Sequence, residues 1–533
     1  MGKRLANVFL ITLGIALAGV VIFTLVLFMA PGLSVFGIKY IARGTHVVSD
    51  SYVLTEEMEG ENFSGSIRIE ADEIPISIVF SQKFAYQVEY YDNYNGLTNS
   101  KFDDPSIEFL KDADGTAVIK VTSFNKFIFE NSNSSRYLKV LIPSTITGGT
   151  RAGETSLKIV SKSSNVSFSE EKDDAYSPYF RNIDIETNGK VKSSVKVKAD
   201  NYSLKTINAI KITEDEIANI NATNYILNST GGKIVVDREV DGDINATTKN
   251  ARIQILSCRN FTANAGYGDV YSARETAGVT VNGVANIKTT AGIVEIETIA
   301  GSGKSIIETK TGNVKITSVQ DLDLTTTRGF VRVNSAKNIN VTTSSGSITV
   351  ETATESVTAK TKRGKIFLGG EENKLYNPKV ESTFGDVSVI SASGTVKIDT
   401  IKADVNFVNA DASNIKLSVG GELKATKLLG AVEISVEGDA NLEFAEFTQK
   451  STITGLNAKS TIKLELLNND GNTFSYDLEG NDVSLYEYNV DDPEQHYQIG
   501  KSTSLTSSAD KVGKPLLSVT TQGRLLVYYK RTA

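Results

Sequence analysis

The stretch GFVRVNSAKNINVTTSSGSITVETATESVTAKTKRGKIFL, Gly329 to Leu368, repeats one short phrase three times. Glycine, a variable residue, then apolar, polar, apolar begins at Gly329, Gly346 and Gly364, 17 and then 18 residues apart. With Gly312 placed in front, the first apolar column reads Val314, Val331, Ile348, Ile366, and the second reads Ile316, Val333, Val350, Leu368. Lys315, Arg332, Thr349 and Phe367 stand between them. Alternation with period two is the mark of a strand with one buried face. Each unit also holds a second such strand, at Leu322 and Leu324, Ile339 and Val341, Val357 and Ala359.

A unit this short cannot bury its apolar face alone, but stacked on copies of itself it can. The expected fold is therefore all-β, a parallel solenoid with laps of 17–18 residues and β-branched side chains stacked in columns. Glycines mark corners that need positive φ or close backbone approach. Thr, Ser and Asn are expected at outward positions and bends. An antiparallel sandwich has similar strand spacing, but it does not require glycines in register.

Looser copies extend the pattern upstream to Gly232, Asp243, Ala251, Gly268 and Gly292, and downstream to Gly385, Gly394, Ala403 and Gly430. The array is read over 137–455. At about 18 residues per lap that is roughly 17 laps, or on the order of 80 Å at the β spacing. Residues 47–136 read as a β-rich N-terminal cap. Residues 456–533 read as an antiparallel C-terminal cap, with hairpin turns at Asn469–Asn472 and Gln522–Gly523.

Residues 1–46 hold a tail, a membrane anchor over about 8–30 and a juxtamembrane segment. Val8 to Ala30 is nearly all apolar and long enough to cross a hydrocarbon core of about 30 Å. A cleaved signal peptide has a shorter core and a small-residue cleavage site, so an uncleaved anchor is the expectation. Lys3 and Arg4 face Lys39 and Arg43 across the segment, so the charge count nearly ties. A short tail before a long domain favours an extracytoplasmic C-terminal domain.

The chain has 533 residues, 40% hydrophobic and 22% charged, with a net charge of −7. That balance argues against a nucleic-acid partner. Cys258 is the single cysteine and adjoins an apolar strand, so it reads as a structural thiol. The two histidines, His46 and His496, have no sequence neighbours with which to form a metal or catalytic site. "KDADGT", holding Asp112 to Gly115, lacks calcium-loop spacing and reads as a turn. No catalytic, cofactor or metal residues are assigned. Asp321 and Asp323 share an outer face and read as solvating charges. Phe330 and Phe367 stand where neighbouring laps carry polar residues, and are the candidate contacts for a glycan or protein surface.

The stretch APGLSVFGIKYI, the strand RYLKVLIPSTIT and the recurrent GxVxI laps together resemble a bacterial family of membrane-anchored β-solenoids. That family is usually labelled "putative adhesin", a domain of unknown function. The resemblance implies a membrane-anchored surface module and supplies no catalytic residues. The expected function is non-catalytic adhesion or contact outside the cell, anchored in the lipid bilayer. The alternatives are a self-assembling envelope scaffold and a polysaccharide-active β-helix enzyme.

Overall fold

In the computed structural model, 66% of the chain is strand, wound into a parallel β-solenoid of about 14 turns with one N-terminal apolar helix. The structure describes residues 2–29, 34–35, 38–53, 66–71, 74–81, 85–99, 106–121, 127–130, 135–143, 153–171, 177–212, 220–370, 373–489, 495–507 and 513–531. They form two compact units, Met1–Gly232 and Lys233–Ala533.

The second unit contains the repeat in its tightest form. Val314, Val331 and Ile348 pair in one parallel register, and Ile348 pairs onward with Ile366. Ile316, Val333, Val350 and Leu368 make the second column in the same way. All eight side chains are buried. The second strand of each lap supplies two further columns, Leu322–Ile339–Val357 and Leu324–Val341–Ala359. The dry spine is therefore built from four ladders of mostly β-branched residues, each packed on its own kind.

The corners depend on a pattern absent from the sequence reading, Thr-x-x-Gly. Buried Thr309, Thr343 and Thr361 each accept a hydrogen bond from the amide of the glycine three residues on, at 2.9–3.0 Å. These threonines are the bend residues expected to serve the backbone, and they do so from buried positions. They satisfy a backbone donor that the ladder leaves unpaired at the bend.

The glycines themselves stack. A Cβ on Gly329 would lie 1.7 Å from the Gly312 carbonyl oxygen, and one on Gly346 would lie 1.8 Å from that of Gly329. Close approach, not backbone torsion, excludes a side chain here. Gly394 and Gly430 differ. Gly394 lies within Val387–Thr400 and Gly430 immediately before Ala431–Val436, and their φ values are 72° and 76°. The motif had merged two kinds of corner.

The turn count falls below the roughly 17 expected because laps lengthen at the corners. Gly268 and Gly292 are stacked neighbours, as are Gly364 and Gly385, yet they stand 24 and 21 residues apart.

In the first unit, Ile67–Ala71 pairs in parallel with both Ala117–Val121 and Ser156–Val160. The stack continues through Tyr179–Glu186 and Val197–Thr206 to Ile220–Ser229. Antiparallel strands close this end. Ile107–Lys111 pairs with Ala117–Val121, and on the other sheet Ala85–Asn99 lies between Ser135–Pro143 and Ile38–Val53. Asp112 to Gly115 makes the hairpin turn between Ile107–Lys111 and Ala117–Val121, with the Gly115 amide donating to the Asp112 carbonyl at 3.0 Å.

At the far end of the second unit, neither expected hairpin forms. Leu516–Thr521 and Arg524–Lys530 are inserted as a lap between Ser451–Asp470 and Ser475–Tyr488, parallel to both. Insertion pairs both edges of these strands and buries Leu517, Val519, Leu525 and Val527, which a two-stranded hairpin would leave half exposed. The antiparallel partner is His496–Thr506, which lies along Ser475–Tyr488.

The helix Gly2–Met29 contains Asn7–Val26, apolar and long enough to cross a membrane and unburied within the protein. Thr12 and Thr24 turn their hydroxyls back onto the carbonyls of Val8 and Val20, at 2.7 Å each, so neither presents a free donor to an apolar surrounding. The helix is compatible with a single-pass anchor or a signal sequence.

Candidate functional site

With the apolar residues turned inward, each outer face becomes a set of polar ladders. Many rungs neutralise one another from lap to lap: Lys315 with Glu295, Arg332 with Glu351, and Lys416 with Glu433, at 2.6–2.7 Å. Asp321 and Asp323 belong to this pattern. Asn338 donates to Asp321 at 2.8 Å, and Lys304 meets Asp323 at 2.5 Å. Exposed pairs of this kind contribute about 0–1 kcal/mol each and mainly keep the face hydrated.

Phe330 and Phe367 are both exposed, at 49% and 41%. They lie two laps apart on the same face. Phe330 follows Asn313 in the column just after the corner, where its amide donates to the Asn313 side chain at 3.1 Å. Phe367 lies in the next outward column, beside Thr349.

Phe367 lines a groove, and Phe330 does not. The groove has a volume of about 750 Å³ and runs over six consecutive laps, about 24 Å at the β spacing. One of its ladders is Phe367, Ser388, Asn406, Lys424, Asn441 and Lys463, joined by parallel register throughout. Beside it run Asp386, Asp404, Glu422 and Asp439. Two of these carboxylates have structural work: Asp404 accepts from the Glu422 amide at 2.8 Å and Asp439 from the Thr461 amide at 2.7 Å.

The sequence reading also missed Phe384, 53% exposed at a corner with the Lys402 ammonium 6.0 Å from its ring centre. Its signal was the third position of the corner motif, Ser382-Thr-Phe-Gly385.

Cys258 is fully buried, and burial pushes its thiol up to about 12. His496 packs its ring 4.9 Å from that of Tyr528. The backbone of His46 pairs opposite Asp92. Among the described residues, no group of three or more His, Cys, Asp or Glu could hold a metal ion.

No family model matches the chain, and no curated protein matches it. One solved structure does, titled as a "putative cell adhesion protein" from Clostridium sporogenes. It shares 8% identity at a TM-score of 0.17, over 47% of this chain and 98% of that one. A likeness that distant lends this chain neither residues nor an activity.

Proposed function

We propose that this protein is a non-catalytic contact module, held at the cell membrane by its N-terminal helix and presented on the extracytoplasmic side. The observation that carries the reading is the six-lap groove from Phe367 to Lys463. It is long, shallow and lined by side chains that can donate and accept, with one aromatic ring at its end. Such a surface suits an extended partner, a glycan chain or a protein segment, held by many weak contacts. The apolar helix fits the anchor, and the family resemblance of the sequence fits the same arrangement. The antiparallel strands at both ends disfavour the scaffold alternative, since they cover edges that end-to-end stacking would use.

Protease treatment of intact cells expressing the full chain tests the placement. Cleavage of the solenoid without lysis is expected, and protection until lysis overturns it. Cell-surface binding by the full chain, compared with Phe367→Ser and Lys424→Glu, tests the groove. A fall of at least threefold is expected, and unchanged binding by both variants removes the groove from the reading.

A further inference from the structure

The lap from Gly268 to Gly292 carries extra residues, and they are not spent on a slack corner. After Ser272 the chain leaves the sheet, runs through Arg274 to Gly278, and rejoins at Thr280. Both ends of this loop are pinned. The Ala273 amide donates to the Ile255 carbonyl at 2.9 Å, and Arg274 meets Asp237 at 2.6 Å. On the return side, the amides of Glu297 and Thr298 both donate to the Val279 carbonyl at 3.1 Å. The loop borders a cleft of about 770 Å³, within the size range of small-ligand sites.

The floor of the cleft is one aromatic ring among planar polar groups. Tyr271 lies between Gln254 and Glu295 in their column. The Arg252 guanidinium donates to the Tyr271 hydroxyl at 2.5 Å and stands 5.8 Å from the ring centre. That hydrogen bond orients the donor fork. The Gln254 amide is held by the Ser272 carbonyl at 3.3 Å. The Glu297 carboxylate reaches up beneath the loop, where a Cβ on Gly278 would come within 2.1 Å of Oε2. Glycine is required at that position to leave the carboxylate its room.

We propose that this cleft binds an uncharged saccharide. A sugar ring presents an apolar face for Tyr271 and a rim of hydroxyls that both donate and accept. Gln254, Arg252 and Glu297 supply the complementary set. Other ligand classes fit less well. The four cations do not sum to an anion site, because Lys315 is neutralised by Glu295 and Arg274 by Asp237, and Glu275 and Glu297 balance Lys233 and Arg252 in the lining. The three glutamates lining the cleft do not come together as metal ligands. Apart from Ile296 and Val279 the lining has no bulky aliphatic side chain, so it offers no pocket for an apolar peptide anchor. The proposal is independent of the groove at Phe367.

Cellotetraose, chitotetraose and maltotetraose are the probes, titrated onto the full chain in detergent micelles and followed by saturation-transfer NMR and calorimetry. At least one is expected to bind with a Kd below about 1 mM, a modest affinity of about −4 kcal/mol. Tyr271→Ala and Gln254→Ala should each weaken it about tenfold, while Phe367→Ser leaves it unchanged. A circular-dichroism melt confirms that each variant is folded, and the second variant serves if the first is not. The proposal is overturned if no probe binds below about 10 mM, if both folded variants bind like the parent, or if inorganic phosphate displaces the sugar competitively.

Discussion

The laps from Gly312 to Gly364 and the lap from Gly268 to Gly292 share the first interior column and differ most in their exteriors. In the first region, laps of 17–18 residues leave outside mostly polar ladders that pair with one another, with Phe330 exposed among them. In the second, the first buried column continues, Ile253 to Val270 to Val294, the second meets half-exposed Ser272 opposite Ile255, and the added residues Arg274–Gly278 stay at the surface. Regular laps stabilise the fold, and a departure from regularity creates a concave place. The same contrast recurs at Gly364–Gly385, next to the start of the long groove.

The sharpest way to break this comparison is to damage the regular region. Gly346→Ala places a methyl 1.8 Å from the Gly329 oxygen, so at least two laps must separate. A loss of more than about 3 kcal/mol is expected by urea unfolding. Gly370→Ala, whose nearest neighbour would be 3.6 Å away, should cost less than about 0.5 kcal/mol. Next in size is the column itself. Val333→Ala removes two methyls from a fully buried site and should cost about 2–3 kcal/mol.

Thr343→Val leaves the Gly346 amide without its acceptor and should cost about 1–2 kcal/mol, whereas Thr343→Ser should recover most of that. Cys258 gives an effect that depends on pH. Its folded-state value lies above that of an unfolded thiol, so the folded chain holds the proton more tightly. Its contribution is complete below about pH 8.5 and declines by about 1.4 kcal/mol per unit as pH rises towards 12. Cys258→Ala should flatten that part of the pH–stability curve, and the native thiol should resist Ellman's reagent at neutral pH.

The smallest effect sharpens the contrast from the other side. Replacing Arg274–Gly278 by two glycines should change stability by less than about 1 kcal/mol, because the loop contributes no residue to the buried columns. It should nevertheless abolish saccharide binding in the cleft.

Much of the fold was legible because the signal is redundant. Val314, Val331, Ile348 and Ile366 report one another's position, and a strand has only two faces. Phe330 and Phe367 could be placed outside by the same parity. Their neighbours could not be, because a groove depends on how far successive laps shift sideways, which parity does not encode. Phe367 lines the groove and Phe330 does not, although the sequence treats them alike. Thr at the bends was legible as a partner for the backbone, but not its burial, because at a corner a backbone amide needs an acceptor more than the hydroxyl needs solvent.

By itself, then, the sequence determined the winding, the four buried columns, the glycine corners and the apolar N-terminal helix. Each follows from local periodicity or from a single run of apolar residues. Only the tertiary structure decided that residues 516–530 fold back as a lap between 451–470 and 475–488, and that Tyr271 and the loop after Ser272 line one cleft. Both depend on contacts between segments distant in sequence, where the energy of pairing an open edge or pinning a loop exceeds any local preference for a hairpin or a free turn.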